Sequence, residues 1–127
     1  MGSDEGPDEI LEGLVLAVEE APRSARFVVV GQEDVLGPMI ENKPRLKSAN
    51  VEMRHASEII AMGEKPIAGI KQKKDSSMSR ALEMVKENEA DALLSCGNTG
   101  CLMAGGAIRL RTLDGVERPA LCTIWPG

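Results

Sequence analysis

Ala90-Asp91-Ala92-Leu93-Leu94-Ser95, followed at once by Cys96-Gly97-Asn98-Thr99-Gly100, is the stretch whose reading decides the fold class of this chain. The first six residues form a short apolar run that reads as a strand. The glycines and polar residues after it make a turn, and the chain then continues as a helix through Ala104-Gly105-Gly106-Ala107. A strand running directly into a helix is the repeating unit of an α/β sheet. Two interior glycines cost about 1 kcal/mol each relative to alanine. Close packing offsets such a loss, so this helix is expected to lie tight against the sheet.

The same alternation extends in both directions. Arg26-Phe27-Val28-Val29-Val30-Gly31 is a β-branched run ending at glycine and reads as a buried strand. Residues 50–54 read as a second strand and residues 119–124 as a last one. Residues 8–21 place Ile10, Leu11, Leu14, Val15 and Val18 on one helical face, with Pro7 at the start and early acids suited to the helix dipole. Residues 34–40 form a short helix that closes before Pro44. Asp75-Ser76-Ser77-Met78 opens the clearest helix, capped by Ser76 or Asp75, with Met78, Ala81, Leu82 and Val85 as its apolar stripe. Strand and helix alternate throughout, which predicts a mostly parallel sheet with helices on its faces, in a single α/β domain over residues 1–127.

Composition narrows the function. The chain has 127 residues, 43% hydrophobic and 28% charged, an ordinary globular balance with enough apolar mass for one core. No run of about 18 apolar residues is present, and Asp4, Glu5, Asp8 and Glu9 argue against a secretory leader. With Phe27 and Trp125 as the only aromatics, the composition argues against a stacking platform for single-stranded nucleic acid. The net charge of −5 is uneven: residues 1–40 hold nine acids against two bases, and residues 41–80 five acids against nine bases. An acidic protein is a poor duplex binder. The basic middle is either a solvated face or a receiver for a small anion or an acidic partner. Cys96, Cys101 and Cys122 lack metal-ligand spacing and read as reduced, cytosolic thiols, and with His55 as the only histidine a zinc site is not expected.

In α/β sheets ligands bind beyond the carboxyl ends of the strands, against helix N-termini. Two segments fit. Ser95-Cys96-Gly97-Asn98-Thr99-Gly100 runs from strand to helix with glycines that let backbone approach an anion; it is neither a Walker loop nor GxGxxG, and it also reads as a plain N-capped turn. Lys71-Gln72-Lys73-Lys74-Asp75-Ser76-Ser77 feeds a capped helix start and reads either as a phosphate-holding segment or as a solvated loop. His55, after a strand, is either a proton donor or structural. Cys96 has no evident histidine partner and reads as a small buried residue rather than a nucleophile.

Five runs occur in order along the chain: Met1-Gly2-Ser3-Asp4, His55-Ala56-Ser57-Glu58, Lys73-Lys74-Asp75-Ser76-Ser77-Met78, Ser95-Cys96-Gly97-Asn98-Thr99-Gly100 and Gly115-Val116-Glu117-Arg118-Pro119-Ala120. Together they closely resemble the PlsX family of phosphate acyltransferases of bacterial phospholipid synthesis. The resemblance implies a Rossmann-like three-layer α/β/α sandwich. It implies a reaction in which inorganic phosphate takes the fatty acyl group of acyl-acyl carrier protein, giving acyl-phosphate. A homodimer, no metal or other cofactor, and a cytoplasmic enzyme loosely attached to the inner membrane face are implied as well. A thiolate leaves readily, so positioning and oxyanion stabilisation carry the chemistry. On this reading Gly97, Asn98, Thr99 and Gly100 cradle phosphate, Lys73 or Lys74 neutralises charge, and Ser76 and Ser77 add donors. Gly2 and Asp4 belong to an ordering loop, and His55 protonates the leaving sulfur. Lys74, Asn98 and His55 are then the catalytic group.

The sequence also departs from that family. Its members begin with a hydrophobic strand ahead of a Met-Gly-Gly-Asp loop, whereas this chain begins at the loop's methionine, with Ser3 in place of the second glycine. They continue well past Trp125-Pro126-Gly127, and they commonly have alanine where Cys96 and Cys101 stand. The expectation is an N-terminal part truncated at both ends, with Val28-Val29-Val30 as an unpaired edge and Leu11, Leu14 and Val18 exposed. Such a piece would be inactive alone and prone to self-association. A non-catalytic anion- or nucleotide-binding module and an inert, partly folded piece are the rival readings; turnover separates the enzyme from both, and cooperative unfolding separates those two.

Overall fold

The computed structural model describes residues 1–125; Pro126 and Gly127, past which a longer chain was expected to continue, lie outside the described residues. Helix α1, Gly6–Glu20, carries proline in its first turn and acids at Asp8 and Glu9. Strand β1, Phe27–Gly31, leads to α2, Glu33–Glu41, and α3, Pro44–Ser48, before strand β2, Val51–His55. Helices α4 (Pro66–Gln72), α5 (Ser77–Lys86) and α6 (Thr99–Arg109) follow. β1 and β2 pair in parallel, from Phe27 opposite Val51 to Gly31 opposite His55. The chain is therefore α/β with a small parallel sheet.

Alternation along the strands sorts the layers. Val29, Val51 and Met53 share one face and pack on a cluster of Leu11, Leu36 and Leu46 from α1, α2 and α3. Arg54 points to the opposite face, where it pairs with Glu89 just beyond α5 at 3.0 Å, and α5 itself packs against β1. A second cluster of Ile60, Ile70, Met78, Leu82 and Cys101 joins α4, α5 and α6. Charge follows the same geography. The acidic first helix meets basic side chains of the 43–45 segment, with Lys43 held by Asp8 and Glu12 and Arg45 by Glu19. Among the described residues, Arg54, Lys73 and Arg80 are also ion-paired, which leaves Lys47, Lys65, Lys71 and Lys74 as the cations of residues 41–80 without such a partner.

Several expectations need correction. Residues 90–95 and 119–124 are not strands. A strand persists through ladder partners and apolar cover, and among the described residues the sheet is the pair β1–β2 alone. Leu94 is 92% and Ile124 95% exposed. The first segment also has no β-branched residue and the second opens on proline, both weak for strand formation. The face of α1 expected to lie bare is covered: Leu11 is 1% exposed, with Leu14 and Val18 packed beside it, and only Ile10 of that set points outward. Helix α6 lies against helices rather than the sheet, because Leu82 of α5 and Ile70 of α4 fill the space over Gly105. Met84 takes the buried place expected of Val85. Helices α3 and α4 went unforeseen although both carry proline in the first turn, where it starts a helix as readily as it stops one.

Candidate functional site

The segment between β2 and α4, residues 56–65, is where the motifs meet. It leaves the carboxyl end of the sheet and bridges back to the α5 start, with Glu58 paired to Ser76 in a parallel bridge. Ser57 donates to the Asp75 carboxylate from both its main-chain N–H (3.0 Å) and its hydroxyl (2.5 Å), and Arg80 Nε adds a third bond at 2.5 Å. These donors, the Ser57 hydroxyl foremost, hold the Asp75 carboxyl well below the usual carboxylate range.

Ser76, fully buried, caps α5. Its hydroxyl accepts from Ser79 N at 3.2 Å and donates to Lys73 O at 2.9 Å, so its capacity is spent locally. Ser77 is half-buried; its main-chain N–H reaches Glu58 O at 3.3 Å, and its hydroxyl has no partner among the described residues. Lys73 turns inward, donating to Ile59 O at 2.6 Å and pairing with Glu64. That hydrogen bond, with one from Ala61 N–H, lowers the Glu64 carboxyl below its ordinary value. Lys74 is exposed and has no ion-pair partner among the described residues.

Asn98 is buried at the start of α6. Its Oδ1 accepts from Cys101 N at 2.9 Å, while Nδ2 donates to the carbonyls of Met62 (2.8 Å), Glu64 (3.0 Å) and Ala61 (3.3 Å). The side chain thus clamps the first turn of α6 to the 61–64 turn. Thr99 and Gly100 are the next two residues, and among the described residues their N–H groups find no acceptor, as the first turn of a helix leaves them. Gly100 lies under Pro66 of α4, where a side chain would collide. Gly97, half-buried, donates to Ser95 Oγ at 3.2 Å. Cys96 is exposed, not buried as its sequence context predicts; Cys101 is the buried thiol, and burial raises it above its ordinary value.

Gly2 has φ +82 and packs on the Ile60 carbonyl, where a Cβ would not fit. Met1 beside it covers Gly31 at the end of β1, so the N-terminal loop crosses the carboxyl end of the sheet. Asp4 is exposed on the following turn, which Ser3 closes by donating to Gly6 O at 3.1 Å. His55 stands apart from the lysines, at the end of β2. Its Nδ1 accepts from Glu33 N at 3.2 Å at the α2 start, and it lines an open depression with Gln32, Glu33, Asp34 and Ser57. Lys73 and Asn98 are therefore joined through residues 61–64 and Ser76 through Lys73, whereas the His55 side chain is bonded to the start of α2 instead. Motif reading missed Glu64, and it gave Ser57, inside the His55-Ala56-Ser57-Glu58 run, no role. Glu64 has no distinguishing neighbour in sequence, and both act through partners 9 to 34 residues away. No described helix is long and apolar enough to cross a membrane.

A profile of the family described as fatty acid synthesis protein matches residues 1–127. The chain is 43% identical over 126 residues to a phosphate acyltransferase of Cereibacter sphaeroides, covering 99% of this chain and 34% of that protein. It is 41% identical to the phosphate acyltransferases of Halorhodospira halophila and Thermoanaerobacter pseudethanolicus, covering 36% of each. The chain spans about a third of the length of the curated relatives it matches.

Proposed function

This chain belongs to the fatty acid synthesis protein family, and from that premise we propose that it supplies the phosphate-binding part of a phosphate acyltransferase. The donor is acyl-acyl carrier protein, the acceptor inorganic phosphate, and the product acyl-phosphate for phospholipid synthesis. Similarity along 99% of the chain to relatives bearing that name carries the reading.

A phosphate oxygen attacks the thioester carbonyl and forms the new C–O bond as the carbonyl π electrons move onto oxygen. Collapse of that intermediate breaks the C–S bond, and the thiolate leaves and takes up a proton. The free N–H groups of Thr99 and Gly100, at the positive end of α6, suit the phosphate. Gly97 keeps the backbone open beside them, and Asn98 fixes their direction. Lys74 supplies the mobile positive charge, Lys73 orders the segment through Glu64, and Ser77 adds a hydroxyl beside the capping Ser76. His55, with Nδ1 already accepting a bond, holds its proton on Nε2, which suits it to protonating the leaving sulfur. Gly2 seats the N-terminal loop on Ile60, and Asp4 sits on that loop's outer turn. The complete enzyme is read as a cytoplasmic homodimer that works at the inner face of the membrane, because its product carries a fatty chain that partitions into lipid.

The test is a graft in which residues 1–127 replace the matching third of the Cereibacter sphaeroides protein. Formation of acyl-phosphate from acyl-acyl carrier protein and phosphate is expected. A graft that melts cooperatively and binds phosphate but does not turn over would replace the enzyme by a non-catalytic anion-binding module.

A further inference from the structure

Glu64 lies outside every motif of this sequence, yet it ties the motifs together. Its Oε1 accepts from Ala61 N at 2.9 Å while its own N–H donates to Ala61 O at 3.2 Å, so one residue closes the 61–64 turn from both ends. The carbonyls of that closed turn converge on Asn98 Nδ2, whose two protons serve Ala61, Met62 and Glu64. The same carboxylate holds Lys73 Nζ. Gly69 of α4 makes room for it, since a Cβ there would lie 3.4 Å from Glu64 Oε2 and 3.2 Å from Cys101 Sγ. An amide held on three carbonyls cannot rotate without breaking them, and its Oδ1 fixes the first turn of α6 through Cys101 N.

We infer that Glu64 is a positioning residue for the anion. By closing the 61–64 turn it locks Asn98, and through Asn98 it aims the N–H groups of Thr99 and Gly100. This rests on the reading of that helix start as the phosphate site. It has a consequence opposite to that of simple electrostatics. Removing Glu64 leaves Lys73 without its counter-charge, so the site becomes more positive and, on charge alone, should hold phosphate more tightly. Positioning demands the reverse for Glu64→Ala, which opens the turn. Glu64→Gln keeps the accepting Oε1 and loses only the charge.

The experiment follows the amide resonances of Thr99 and Gly100 in the ¹⁵N-labelled 127-residue chain, at a concentration where sedimentation shows a monomer, titrated with inorganic phosphate at constant ionic strength. The unsubstituted chain is expected to shift saturably, Glu64→Ala to bind at least about tenfold more weakly, and Glu64→Gln to bind as tightly or more tightly. A well-dispersed Glu64→Ala spectrum with unweakened binding overturns the inference, and so does a Glu64→Gln chain as weak as Glu64→Ala. If Glu64→Ala loses its dispersion, Glu64→Asp takes its place; it keeps the charge but draws the carboxylate back by one methylene, and binding equal to the unsubstituted chain is then the overturning result. If Thr99 and Gly100 of the unsubstituted chain ignore phosphate, the phosphate-site reading itself fails, and this inference with it.

Discussion

Asn98 spends every polar atom of its side chain on the protein, one oxygen on the α6 cap and one NH2 group on three carbonyls. Asn98→Ala loses the cap, worth about 1 kcal/mol, and strands the carbonyls as well, for a total of about 1–3 kcal/mol. Asn98→Asp keeps the capping acceptor but sets a carboxylate against those carbonyls. It should unfold at a denaturant concentration no higher than the alanine variant, although aspartate is a good cap elsewhere; a urea midpoint series decides. Asp75 links stability to pH. Its carboxyl is held low by Ser57 and Arg80, as Glu64 is by Lys73 and Ala61 and Glu83 by Lys86 and Arg109. Below the ordinary carboxylate range of about pH 4 the unfolded chain binds protons that the folded one does not, so stability present above that range is lost progressively as pH falls from there toward the lowered values of the folded chain. Asp75→Asn should flatten that decline, measured as urea midpoint against pH. The capping role of Asn98 and Ser76 was legible from type and position, but the partners of Asn98 were not, because they lie 34 to 37 residues away.

Helix α6 carries its own internal comparison. Gly105 is buried, with Leu82 and Ile70 filling the space a Cβ would need, while one residue later Gly106 faces open space. Alanine improves helix propensity by about 1 kcal/mol at either place. Gly106→Ala should therefore raise the thermal midpoint. Gly105→Ala should lower it, since forcing a methyl into a packed core costs about 1–3 kcal/mol. Equal shifts from both would mean that α6 does not pack on α4 and α5 as described. Sequence alone marked the two glycines as a packing signal but could not tell them apart, and it pointed to the sheet where helices α4 and α5 supply the contact.

Across the whole molecule, the region after α6 is rich in exposed large apolar side chains. Leu113, Leu121, Ile124 and Trp125 are largely exposed, and Leu94 joins them from the segment before α6. Burying such side chains yields about 1.5–3 kcal/mol apiece, so the isolated chain should associate as its concentration rises. Trp125, the single tryptophan, reports this directly. Its emission should be that of a water-exposed indole when dilute and shift to the blue as sedimentation shows larger species. A monomer at all concentrations with unchanged emission would refute it. The depression at the carboxyl end of the sheet is open and lined by polar side chains, unlike the apolar enclosure that a fatty chain requires. These 127 residues alone should accordingly give no measurable acyl transfer, even where the graft does.

The α/β class, strands β1 and β2, helices α1, α2, α5 and α6, and the capping of α5 and α6 can be read from residue order alone. Each of these is written in local signals: β-branched runs, 3.6-residue periodicity and capping side chains that act within three residues of themselves. Long-range packing settled which apolar runs become strands, because a strand exists through its neighbour, and residues 90–95 and 119–124 have none among the described residues. It also decided that Glu64 and the 61–64 turn join Lys73 to Asn98. Hydrogen bonds between segments so far apart in the chain leave no periodicity to read, and they form only once α4, α5 and α6 have packed around Cys101.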